Sequence, residues 1–270
     1  MTTHFGATLR MLRVDAGLGL GELAARIGVS SAYLSRVEHG HDPVPTPDRV
    51  IAIAHALQLP PIVLLEIAQG AGAALASYLE RVPEASSLFL EMATRELGAT
   101  EIARIKAFMD RTMPERAANR RKPARLSDLL APNRVLVRAV CSDIEDLVSV
   151  ASTRLTTDRA EARSLVARLL EREDTASSAM GAGVVAPHAI ISGQPSRAVL
   201  VTLARPIKAR TPDGLPIQTA IVLVETAPDR AHLERLAHIA RLASRGLANV
   251  LERARTPDDA LRQLATLDVS

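Results

Sequence analysis

The 270 residues carry 33 Lys and Arg against 30 Asp and Glu, and 47% are apolar while only 2% are aromatic, so any core must be aliphatic. That length suits two domains or one large one, and a single cysteine, Cys141, excludes an intramolecular disulfide framework and suits a reducing cytoplasm. The opening Met1-Thr-Thr-His lacks the basic and apolar regions of a signal peptide, and no apolar run approaches the ~18 residues of a spanning helix, so a cytoplasmic protein without a membrane span is expected.

Residues 1–72 read as five short helices. Phe5–Asp15 is amphipathic, with Leu9 and Leu12 among its apolar positions, and Gly17 to Gly21 break it. Glu22–Ile27 follows and ends at Gly28, which suits a left-handed C-cap. Ser30 caps a third helix, Ser31–Glu38. Thr46 and Pro47 open a fourth, Arg49–Leu57, and Pro60–Ile67 makes the fifth.

The stretch Leu23–Gly40 is similar to the helix-turn-helix of the Cro-type repressors (the XRE family). Ala24 or Ala25 allows a close helix crossing, Gly28 makes the turn, and Val29, Leu34 and Val37 bury the inner face of the second helix. The resemblance implies that Ser31, Ala32, Tyr33, Ser35 and Arg36 face the major groove of double-stranded DNA, with Arg36 suited to guanine or phosphate. Where the family often places Ser/Thr-Gln at the start of its second helix, this chain has Gly19-Leu20. Residues 1–72 also hold five Arg against six Asp and Glu. Affinity for DNA rests on neutralising phosphates, so one copy should bind weakly and a homodimer is expected.

Gly70–Ala74 reads as a break, and residues 73–113 as a helical extension or dimerisation element with helices at Ser77–Arg81, Ser86–Leu97 and Thr100–Met113. Phe89, Met92, Ile102, Ile105, Phe108 and Met109 are expected to give them buried faces. Arg111–Arg125 holds six Lys and Arg against Glu115. It is either a tail along the DNA backbone or a solvated linker; residues 114–125 read as a basic linker, with the domain boundary near 120–126 where Pro123 falls.

Residues 126–270 read as an α/β domain. Ser142–Arg154 and Thr157–Glu171 are helices with expected hydroxyl caps. Ala198–Leu203 and Ile217–Val224 are strands, and Asp229–Ala243 and Asp258–Leu267 closing helices. Between them lies Arg172-Glu173, Ser177-Ser178, Gly181-Ala182-Gly183, the apolar run Val184–Ala186 and Pro187-His188. Glycines let a backbone approach an anion, and a histidine at a strand end suits a pocket rim. An imidazole with a pKa of ~6.5 is a nucleophile near neutral pH.

This spacing resembles the active-site segment of the fructose/mannitol-type enzyme IIA domains of the bacterial phosphotransferase system. The resemblance continues through Asp213-Gly214-x-Pro216, Thr219–Val224 and His232-Leu233. It implies a mixed sheet flanked by helices on both faces, with His188 carrying the phosphoryl group and Arg172 screening its oxygens. His232 would lie against the reactive ring, and Ser178, Gly181 and Gly183 would supply a hydroxyl and backbone donors. The family usually has Asn at Ala182 and a bulkier aliphatic at Ala186. Neither a cofactor nor a metal is expected: His4, His39, His41 and His55 form no ligand constellation, His238 reads as a packing or surface residue, and Cys141 as a buried small hydrophobe.

Together the two resemblances imply a multidomain transcriptional regulator that takes its signal from the histidine phosphocarrier protein through His188. Two alternatives remain: a regulator whose enzyme IIA-like half binds a partner or ligand without phosphorylation, and a phosphocarrier in sugar transport.

Overall fold

A computed structural model of the chain describes residues 3–69, 71–113 and 126–269. Residues 114–125, which hold most of the expected basic stretch, lie outside them. The N-terminal bundle comprises α1 (Thr3–Asp15), α2 (Leu20–Arg26), α3 (Ser31–Glu38), α4 (Pro47–Ala56) and α5 (Pro61–Ile67). Leu9, Leu12, Leu23, Leu34, Val37, Ile53 and Leu64 bury their side chains at its centre. Ser30 caps α3 by accepting from the Tyr33 amide at 3.2 Å, whereas Thr46 makes no cap bond to α4. A Cβ on Gly6 would lie 2.2 Å from the Val37 carbonyl, so α1 crosses the end of α3 at a separation that only glycine permits. Seven residues on, Arg13 grips the buried Glu38 through two bonds of 2.6 and 2.8 Å.

The expected break over 70–74 is not one: α6 (Ala71–Arg81) already runs there, followed by α7 (Pro83–Thr94) and α8 (Ala99–Thr112). Nor are the apolar faces of these helices buried. Phe89, Ile102, Phe108 and Met109 are exposed, as are Leu88 and, at 67%, Leu90. The reason is geometric: α6 rests on α4 and α5, and α7 on α6, but no further layer of the described residues covers α7 and α8.

The C-terminal domain starts with β1 (Val135–Ala139), α9 (Ile144–Leu155) and α10 (Arg159–Thr175). Three short strands follow, β2 (Ala179–Gly181), β3 (Val184–Val185) and β4 (His188–Ile190), then the long β5 (Arg197–Ile207) and β6 (Ile217–Glu225). The chain closes with α11 (Arg230–Ser244), α12 (Leu247–Leu251) and α13 (Pro257–Val269). The sheet order is β1-β5-β6-β3-β2, with β4 also on β6. It is mixed: β5 runs antiparallel to β6 while β3 and β4 run parallel to it.

Side chains alternate across the sheet. Ala198, Leu200, Ile221 and Leu223 join Leu236, Ile239 and Leu251 on one face. Val199, Val201, Val222 and Val224 join Leu147, Leu165 and Leu169 on the other. Helices cover both faces, which is why β5 and β6 read as unbroken apolar runs. The caps of α9 and α10 are not hydroxyls. Asp143 accepts from the Asp146 amide at 2.8 Å and Asp158 from the Ala160 amide at 2.7 Å, because a carboxylate there also meets the positive helix end. His238 is largely buried, 2.7 Å from Asp268, and Cys141 is buried.

The bundle does not stand apart from the sheet domain. α1 packs against β2 and α11, and α5 against α11, so Leu9, Leu12 and Leu64 share one apolar core with Met180, Leu236 and Ile239. Polar contacts frame this seam. Glu66 on α5 accepts from Arg245 at 3.0 Å, and His4 on α1 lies 3.5 Å from Asp213. Among the described residues no helix is long and apolar enough to cross a membrane.

Substituting Arg13 with Met strands the Glu38 carboxylate, which is only 4% exposed. Breaking such a pair should destabilise the bundle by roughly 3 kcal/mol, measured as a loss of unfolding free energy in urea. An unchanged midpoint would show that the pair does not hold α1 to α3.

Candidate active site

His188 is the first residue of β4, and its register against Leu223 of β6 fixes its height along the sheet. The Pro187 carbonyl accepts from the Leu223 amide at 2.9 Å, anchoring the backbone on the other side of the ring. The imidazole Nδ1 is 2.8 Å from the Ala186 carbonyl. A carbonyl only accepts, so Nδ1 carries a proton and Nε2 is the atom turned toward the site. His232 stands in the first turn of α11, where Asp229 caps the helix by accepting from the His232 amide at 3.0 Å. The two rings lie 5.3 Å apart, tilted by 53°. Arg172, in the last turn of α10, is oriented by a 2.8 Å bond from Nη1 to the Ala176 carbonyl.

What fills the space between these three is Asp15, the last residue of α1. Its Oδ1 is 3.0 Å from His188 Nε2 and its two oxygens accept from Arg172 Nε and Nη2 at 3.0 and 2.6 Å. His232 Nε2 is 3.7 Å from Oδ1. Behind His232, Glu225 at the end of β6 lies 3.8 Å from Nδ1 and accepts two 2.5 Å bonds from Arg235. Opposite charges therefore face one another through the site: Arg172 with Asp15, His232 between Asp15 and Glu225, and Arg235 on Glu225. Beside it opens a cleft of about 280 Å³ whose lining includes Asp15, Arg168, Arg172 and His188.

Burial works against every charge here, yet attraction wins. Burial alone would raise the Asp15 carboxyl, but the two histidines and Arg172 hold it far below its ordinary range. Glu225 is likewise desolvated, and His232 and Arg235 bring it down to about 2. Burial would lower His232, but Asp15 and Glu225 push its pKa above the ordinary 6.5. Neither His232 nitrogen makes a hydrogen bond, so at 3.7 and 3.8 Å the attraction is that of ion pairs. Asp15, His188 and His232 also offer one ligand atom each within 4.8 Å of one another, an arrangement able to hold a cation. In this structure the Arg172 guanidinium supplies the positive charge.

The structure thus brings His188, His232 and Arg172 together. Rather than standing at an open rim, His188 is 1% exposed, because the end of α1 covers it. Ser178 is one strand away, its hydroxyl and amide both given to Glu173. Gly181, Ala182 and Gly183 form the β2–β3 turn, at the opposite end of β3 from His188, with φ of +80°, +50° and +75°. There the Ala182 amide donates to Asp213 at 2.8 Å. On the bundle, Ser31, Ala32 and Arg36 are exposed and Tyr33 and Ser35 half-buried, on a helix that packs against α1 and α2. Arg36 is paired with Asp42 at 3.0 Å, and Arg49 stacks 5.2 Å above the Tyr33 ring. Asp15, Glu225, Arg235 and Arg49 escaped the sequence reading. Asp15 is 173 residues from His188, and no spacing or motif links the two.

Residues 4–66 match a family described as a helix-turn-helix domain, and residues 128–266 match one described as phosphoenolpyruvate-dependent sugar phosphotransferase system, EIIA 2. The first region is similar to the HTH-type transcriptional repressor RghR of Bacillus subtilis, 43% identical over 21% of this chain and 42% of that protein. This chain therefore spans less than half the length of that relative. The second region is similar to the nitrogen regulatory protein of Pseudomonas aeruginosa, 32% identical over 49% of this chain and 87% of that one. Among solved structures, the nitrogen regulatory protein IIA-Ntr of Neisseria meningitidis superposes with a TM-score of 0.45 at 19% identity, covering 52% of this chain and 98% of that one.

The charge ladder carries a pH signature. The raised pKa of His232 adds stability that is complete below about pH 6.5 and is lost as the pH rises through the raised value. The lowered pKa values of Asp15 and Glu225 add stability present above about pH 4 and lost progressively as the pH falls below that. Thermal midpoints should therefore peak between about pH 4 and 6.5, and His232→Gln should flatten the alkaline limb. A wild-type limb as flat as the variant's would contradict this.

Proposed function

The chain belongs to the EIIA 2 family of the phosphoenolpyruvate-dependent sugar phosphotransferase system, with a helix-turn-helix domain ahead of it, and we propose that it is a DNA-binding regulator controlled by phosphorylation of His188. The observation that carries this reading is the His188 imidazole fixed at Nδ1 by the Ala186 carbonyl, its Nε2 facing Arg172 and His232 across one small space. That arrangement gives a phosphoryl group an acceptor atom and two cationic partners. With Nε2 deprotonated, its lone pair attacks the phosphorus of a phosphohistidine on the histidine phosphocarrier protein. The new N–P bond forms as the donor's N–P bond breaks, and the donor imidazole leaves with the electron pair. Arg172 offers a charge-assisted fork to the transferring oxygens, and His232 a second positive group. The protein's part in such transfers is chiefly positioning and charge stabilisation. Ser178, Gly181 and Gly183 then act indirectly, by shaping the β2–β3 hairpin on which the acceptor segment depends.

Ser31, Ala32, Tyr33, Ser35 and Arg36 present the DNA-reading face, which Arg49 extends. Two copies are expected to join through the exposed apolar faces of α7 and α8, giving a homodimer suited to two half-sites one helical turn apart. The burial of His188 favours a second reading, in which the pocket holds an acidic partner group and is not phosphorylated.

Incubation with phosphoenolpyruvate, enzyme I and the phosphocarrier protein should place an acid-labile label on wild type and none on His188→Ala. DNA binding that is the same for both proteins under every phosphorylation condition would sink the regulator reading. For the dimer, light scattering should report twice the chain mass for wild type and a monomer for Leu90→Glu.

A further inference from the structure

Nothing in the proposed function requires the DNA-binding domain to touch the phosphoryl pocket, yet its own carboxylate sits in it. Asp15 Oδ1 lies 3.0 Å from the acceptor nitrogen, inside the space that a phosphorus bonded to Nε2 would need. Its oxygens take both arms of the Arg172 fork and face His232. These are the partners that a bound phosphoryl group would use. At 3.0 Å the carboxylate oxygen is in direct contact with Nε2, so no phosphorus can reach that nitrogen while Asp15 stays in place.

We propose that Asp15 is an internal ligand of the phosphoryl pocket, so that docking of the DNA-binding domain and phosphorylation of His188 exclude each other. The inference rests on the phosphorylation reading above for its trigger, though not for the docking itself. A phosphoryl group adds roughly −1.5 to −2 charge where a carboxylate now sits, so Asp15 must leave when the group arrives. Conversely, a phosphocarrier protein reaches His188 only after α1 has withdrawn.

Three features show that the docking is built. The seam is apolar at its centre, where Leu9 and Leu12 meet Met180 and Leu236. It is flanked by a second charged contact, Glu66 with Arg245 and Arg241 at 3.0 and 3.8 Å. At the other end the His4 ring lies against Gly181 so closely that a Cβ there would fall 1.5 Å from Nδ1.

The same helix end is tied to the DNA-reading element. Two residues before Asp15, Arg13 holds Glu38 at the end of α3. Docking leaves Ser31, Ala32 and Arg36 exposed. It therefore sets where α3 is held relative to the rest of the chain and does not cover it.

The test uses the full chain as wild type, Asp15→Ala and Glu66→Arg, the last reversing a docking contact away from the pocket. Two quantities are measured: the radius of gyration by small-angle scattering without any donor, and the rate of His188 labelling from the charged phosphocarrier protein. Both variants should scatter as more expanded particles and take label about 10-fold faster or more, because the competent open fraction rises. Unchanged scattering, or labelling rates equal to wild type, would overturn the proposal. If none of the proteins takes label, the phosphorylation reading fails, and the scattering of the variants alone decides whether Asp15 holds the domains together. Should Asp15→Ala fail to fold by circular dichroism, Glu66→Arg carries both readouts.

Discussion

The contact on which the arrangement of this molecule depends is the one between the Asp15 carboxylate and the Arg172, His188 and His232 cluster. A buried carboxylate is costly unless it is paired and hydrogen-bonded, and Asp15 has a guanidinium fork and an imidazole within 3.0 Å. Moderate effective dielectrics near 20 make two unit charges 4 Å apart worth roughly 4 kcal/mol. The attraction that holds Asp15 becomes repulsion of comparable size once His188 bears a phosphoryl dianion. A single charge change at one nitrogen is thus large compared with typical allosteric couplings of about 1–3 kcal/mol.

That electrostatic contact is useful only because the elements bearing it are stiff. α1 is pressed against α3 by the Gly6 crossing and locked to it by Arg13 and Glu38, so its last residue is positioned by the helix-turn-helix core. On the other side, His188 is set by its pairing with β6, Arg172 by the Ala176 carbonyl and His232 by the Asp229 cap. Each half holds its own groups in place, and the seam brings two preformed surfaces together. The exposed apolar faces of α7 and α8 belong to elements other than those that form this seam, so a dimer formed there would leave the Asp15 docking physically separate.

The sequence was most legible where one local rule decides the outcome. The cap at Ser30 placed α3, the apolar runs over 198–203 and 217–224 placed the two central strands, and the family spacing placed Arg172, His188 and His232, which do meet in space. It was least legible where distant parts of the chain decide. The periodicity of Phe89, Phe108 and Met109 announces a buried face but not what buries it, and within one chain nothing described does. Asp and hydroxyl caps compete at α9 and α10, and the side chain that reaches the first amides is set by backbone geometry. Asp15 looks like an ordinary acidic helix end; its role comes from a docking between residues 173 apart, which no spacing encodes.

Amide hydrogen exchange on the wild-type chain, before and after phosphoryl transfer to His188, reads the docking of Asp15 itself. The last turn of α1 and the facing β2–β3 hairpin should lose protection on phosphorylation, while α9, packed on the opposite face of the sheet, should keep its own. Fully phosphorylated protein with undiminished protection in the last turn of α1 would contradict this.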